Sequence, residues 1–163
     1  MHSATAPAAV DNSRSHPDTD SKKRTVRPAK LIIYRLAPDF SHTVWTRTAC
    51  DINLSREEKA RLIIRRLSRP GLEDQPPLPA ATRLRSISFT APLITIDLSP
   101  AIKNGLINAG TNDELLAVAC LVNSLLSNFT DCDTLQILVA GKKVKTLAGH
   151  IDIFEPLGFQ QFE

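Results

Sequence analysis

The chain has 163 residues, about one domain's worth, and its 42% hydrophobic and 23% charged residues are a globular rather than a disordered or membrane composition. Lysine and arginine total 20 against 17 acidic residues, a formal charge of +3. The whole excess lies in residues 1–30, with six basic and three acidic groups; residues 31–163 hold 14 of each, which disfavours a strongly basic nucleic-acid-binding domain.

Residues 1–29 contain no aromatic side chain, and their large aliphatics are Val10 and Val26. So little apolar surface cannot offset the entropy of ordering, so a disordered polar and basic tail is expected. Its Lys22-Lys23-Arg24 run is either a contact for an anionic surface or a solubilising stretch. One domain is expected over residues 30–158, followed by a tail at 159–163.

Leu31–Leu36, rich in β-branched and aromatic residues between Pro28 and Pro38, predicts a strand buried on both faces. A second strand over Ser41–Cys50 pairs with it across the Ala37–Phe40 turn. Ser55 and Glu58 have the spacing of a capping box. The helix they open runs to about Ser68, stops at Pro70-Gly71, and gathers Ala60, Ile63, Ile64 and Leu67 on one face. Glu73–Ala81 reads as an extended surface loop. Arg85–Phe89 and Ile94–Leu98 alternate at period two around Thr90-Ala91-Pro92, a hairpin.

Ser99-Pro100 begins a short helical turn to about Leu106, closed near Gly105 or Gly110. Thr111 with Glu114 has a second capping-box spacing, and Leu115, Val118, Ala119, Val122, Leu125, Leu126 and Phe129 form one apolar stripe. Asn128–Asp133 breaks that helix, Leu135–Val139 is a strand, and Ala140–Lys143 turns into a partner strand over Val144–Leu147. The remainder to Leu157 is a loop packed back through Ile151, Ile153 and Phe154. The order ββα, ββα, ββ predicts an α+β fold: a mostly antiparallel sheet with two main helices on one face. The longest apolar run, Leu115–Val122, has eight residues, far short of the roughly 20 of a membrane helix. No basic region precedes Ala4–Val10, so no secretory signal is read and a soluble chain is expected.

Catalysis needs converging polar groups. Asp97, Ser99, His150 and Asp152 are the residue types of a Ser/His/Asp arrangement, but Ser99 before Pro100 is better read as a helix cap and has no Gly-x-Ser-x-Gly setting. Cys120 with His150 is a thiol and imidazole pair on paper, yet Cys120 sits among apolar residues and reads as packed core. Cys50, Cys120 and Cys132 lack metal-binding spacing and leave room for one disulfide and one free thiol. His150 and Asp152 lack a third ligand, and the six glycines form no phosphate-binding motif. No catalytic, metal or cofactor site is expected.

The first helix carries Arg61, Arg65 and Arg66, the best candidate for an anion or nucleic-acid contact. Residues 31–85 sum to +4 (10 basic, 6 acidic) and residues 86–163 to −4 (4 basic, 8 acidic). Such polarity suits self-association or a charged protein partner.

From Leu84 onward the sequence resembles the GerMN domain of sporulation and spore-germination proteins. The matching pieces are Leu84–Phe89, Leu93–Ser99, Asn112-Asp113-Glu114, Leu121–Leu125, Val139–Lys142 and Thr146–Asp152, with Leu31–Tyr34 fitting the first strand. The resemblance implies a non-enzymatic α+β module, similar to ring-building domains of bacterial envelope assemblies, that binds a protein partner or itself. It implies membrane association outside the cytoplasm. It also implies structural duties: Asp97 and Ser99 would end a strand and cap a helix, and Gly141 would turn a hairpin. Gly149, His150 and Asp152 would fix the C-terminal loop against the sheet.

Overall fold

A computed structural model describes residues 27–71 and 74–161. The expected N-terminal tail, Lys22-Lys23-Arg24 included, lies outside the described residues. Strand β1 covers Pro28–Leu36 and pairs antiparallel with β2, Thr43–Asp51, residue for residue without a bulge. Helix α1, Arg56–Leu67, starts as expected: Ser55 Oγ accepts from the Glu58 N–H, and Glu58 Oε2 accepts from the Ser55 N–H.

Strands β3 (Leu84–Thr90) and β4 (Leu93–Leu98) form the expected hairpin, across a cis Ala91–Pro92 peptide. Helices α2 (Ala101–Leu106) and α3 (Thr111–Asn128) carry the chain to β5 (Thr134–Val139), which lies parallel to β4. A two-residue strand β6, Lys142–Lys143, closes this sheet in the order β3-β4-β5-β6. The fold is thus α+β and mostly antiparallel.

Four expectations change. The strands form a two-stranded ribbon and a separate four-stranded sheet. Side chains of α3 occupy the edge of β1 where a further strand would pair: Asn128 Oδ1 accepts from the Ile32 N–H, its Nδ2 donates to the Ile32 carbonyl, and Ser124 Oγ accepts from the Tyr34 N–H. The second change concerns α3, which is not a one-sided amphipath. Residues 116–126 are all buried, the pattern of a helix enclosed by neighbours; α3 packs on β1, α1 and β5.

Third, the proline-rich connection is pinned rather than purely superficial. Leu78 is buried and donates its N–H to the Leu67 carbonyl, Gln75 bridges to Leu36, and a Cβ on Gly105 would come within 2.4 Å of Pro79. Fourth, the last strand is Lys142–Lys143, not Val144–Leu147. Ala140 and Gly141 both have left-handed backbones, with φ of 52° and 78°. Two such residues make the turn whose twist suits a two-residue hairpin, and it places Lys142 opposite Val139.

The segment after β6 completes the core. Ile153 is buried, whereas Phe154 is exposed. Leu157 exchanges backbone hydrogen bonds with Leu135 at 2.8 and 2.9 Å. Packing continues to Phe159, whose ring meets Tyr34 edge to face, and to Gln160, whose backbone pairs with the Asn123 amide in both directions.

Candidate functional site

The motif residues of the second half gather around two carboxylates. Asp97, next to the end of β4, is buried; its Oδ1 accepts from the Gly141 N–H at 2.7 Å and its Oδ2 lies 3.4 Å from Arg85 Nε. Asp97 therefore anchors the β5–β6 turn. Ser99 does not cap α2. Its Oγ accepts from the Arg83 N–H at 3.0 Å while its N–H donates to the Arg83 carbonyl, so it ties the entry of β3 to the exit of β4.

Glu114 does not belong to a capping box. The residue preceding α3 is Gly110, so Asp113 is the one whose carboxylate reaches back, at 3.3 Å from the Gly110 nitrogen. Glu114, one position further, turns inward and is fully buried. Its Oε1 accepts from the N–H groups of Leu147 (2.7 Å) and Ala148 (2.8 Å), and its Oε2 from those of His150 (2.8 Å) and Ile151 (3.3 Å). Burial raises its pKa, but the four backbone donors together outweigh that and hold it below the ordinary glutamate value. The left-handed Gly149, φ 107°, lets the chain wrap the carboxylate. The loop 147–151 is thus fixed against the first turn of α3 rather than against the sheet. His150 takes part through its backbone while its side chain is exposed, and Asp152 Oδ1 accepts locally from the Phe154 N–H.

The residues weighed for catalysis stay apart in role. Cys120 is fully buried, and burial pushes its thiol up to about 12. Cys50, Cys120 and Cys132 are all free thiols. Among the described residues no hydrogen bond joins His150 to Ser99 or Cys120, and no cluster of three or more His, Cys, Asp or Glu could hold a metal. Among them, too, no helix is long and apolar enough to cross a membrane.

Two further polar centres lie in the first half. Arg35, buried within β1, donates to the carbonyls of Arg66 and Arg69 at the end of α1 and ion-pairs with Asp74. Its sequence signal is an arginine inside an apolar strand, which demands acceptors. Arg56 pairs with both oxygens of Asp131 at 2.8 Å and lies 4.1 Å over the Phe89 ring.

The arginine trio of the first helix is divided. Arg61 and Arg65 line a cleft of about 410 Å³ between α1 and the approach to β3; Arg66 lies outside it, and Arg69 and Arg83 line it instead. Arg61 holds Glu57 and the Leu84 carbonyl, and Arg83 holds the carbonyls of Ala80 and Thr82. Leu62, Ile64 and Leu84 supply apolar walls.

The chain is an α+β domain in which a parallel β4–β5 pair is joined through a buried helix, and a glutamate of that helix clamps the C-terminal loop. A family model described as "Germane: Sporulation and spore germination" matches residues 32–145, and the chain belongs to this family. The tandem GerMN domains of the sporulation protein GerM from Bacillus subtilis share 17% identity at a TM-score of 0.67, over 81% of this chain and 46% of that one. The first GerMN domain of the same protein shares 16% identity at a TM-score of 0.61, over 80% and 97% of the two chains. These likenesses show the fold, and the described chain is comparable to one domain of the tandem. No curated protein matches the chain.

Proposed function

We propose that this Germane domain is a non-catalytic assembly module that binds a protein partner or a second copy of itself, in a process of the sporulation or cell-envelope type that its family's name suggests. The observation that carries the reading is the outer edge of β2. Ile32 and Tyr34 direct their backbone groups to α3, so the alternation of an antiparallel pair turns those of the opposed Arg47 and Trp45 outward. Among the described residues no backbone group meets them there. Natural proteins interrupt or cover such edges, because an open one is a template for another strand. This edge is nine residues long and unbulged, and presents Trp45, 55% exposed, beneath the Arg47 guanidinium.

The charge division between the halves, +4 for residues 31–85 and −4 for 86–163, supports a charged partner surface. Light scattering of the full chain and affinity capture, each at two salt concentrations, test the reading. Salt-sensitive self-association or a captured protein is expected, lost in Trp45→Lys with Arg47→Pro. A chain that stays monomeric at low salt and high concentration, and whose captured proteins are unchanged by the edge variant, contradicts it.

A further inference from the structure

We infer that the cleft between α1 and the approach to β3 is a binding site for a small phosphate carried on an apolar body. Arg61, Arg65 and Arg69 recur every four residues and, with Arg83, bring four guanidinium groups to one concavity, against the carboxylate of Glu58. Like charges at this spacing repel across a helix surface. Arg61 and Arg83 are spent on protein acceptors, but among the described residues the side chains of Arg65 and Arg69 make no hydrogen bond or ion pair. Both are exposed. Two unengaged guanidinium forks present donors in the arrangement that matches phosphate oxygens.

Thr82 lines the same cleft and is 1% exposed, yet its Oγ1 has no hydrogen-bond partner. Buried hydroxyls are nearly always satisfied, so this wall of the cleft is held at a cost in stability. A cleft of about 410 Å³ with leucine and isoleucine walls falls in the range of small-molecule sites. The cationic rim takes the phosphate and the walls take the apolar body. This site goes beyond the assembly reading, because neither Trp45 nor the β2 edge contributes to it.

Phenyl phosphate is the probe, titrated into the full chain and followed by amide NMR shifts, with neutral phenyl glucoside as its control. Saturable shifts at Leu62, Thr82 and Leu84 are expected for the phosphate alone. Arg65→Glu with Arg69→Glu should weaken binding about tenfold or more, and Arg66→Glu, outside the cleft, should leave it intact. Thr82→Val should raise Tm, since it removes an unsatisfied buried hydroxyl. Vesicles of phosphatidylcholine with and without phosphatidic acid distinguish the source. Binding that needs phosphatidic acid and the two arginines assigns a lipid head group, and binding of phenyl phosphate alone assigns a soluble ligand. Failure of both probes, equal binding of the glucoside, or equal loss in Arg66→Glu overturns the inference.

Discussion

At Glu114 four backbone donors converge on one buried carboxylate. Glu114→Gln retains the shape but replaces one acceptor oxygen with an NH2 that faces donors, leaving buried N–H groups unpaired. A loss of about 3 kcal/mol is expected in urea denaturation. Because the folded carboxyl titrates below its ordinary value, its stabilisation is complete above the ordinary glutamate range, about 4.3, and disappears as pH falls through the depressed value. The wild-type stability curve should carry that acid limb, and the glutamine variant should lack its Glu114 part. Arg35→Lys keeps the charge but loses the planar fork that reaches Asp74 and the carbonyls of Arg66 and Arg69. Denaturation should register a cost of about 2 kcal/mol. Glu114 is conspicuous in the sequence, but in the wrong role: Thr111 and Glu114 have capping-box spacing, while the helix starts one residue earlier than that spacing requires. Local patterns locate a carboxylate; its phase on the helix decides what it meets.

Among the elements, β1 depends on a side chain distant in sequence. Asn128 stands in for a neighbouring strand by pairing with both backbone groups of Ile32, 96 residues away. Asn128→Ala leaves an N–H and a carbonyl with no partner at a half-buried edge, and about 2 kcal/mol should be lost in the denaturant midpoint. The strands, the α1 capping box and the Ala140-Gly141 turn are legible in the sequence because each is a short-range pattern of hydropathy or turn chemistry. The separation into ribbon and sheet is not, since it rests on Ser124 and Asn128 meeting the edge of β1. Nor is the brevity of β6: further along β5 the backbone groups of Leu135 pair with Leu157, from beyond the loop, instead of with a continuation of β6.

Over the whole molecule the segment 157–160 helps close the core. Leu157 pairs with Leu135, and Gln160 satisfies the buried Asn123 amide. A chain ending at Pro156 should lose several hydrogen bonds at once, and so about 3 kcal/mol or more, read as a fall in Tm. The charge division between halves is legible from arithmetic alone. The arginine cleft is only half legible, because Arg61 and Arg65 share a helix spacing with Arg69, whereas Arg83 arrives from another segment.

The Glu114 clamp also has a kinetic side. The amides of Leu147, Ala148, His150 and Ile151 share one acceptor group, so none can be released to solvent without disturbing the others. Their deuterium exchange should therefore proceed in concert, at one common protection, as a small cooperative unit. In Glu114→Gln the four should separate into individual rates, which would show that a single side chain makes this loop open and close as one body.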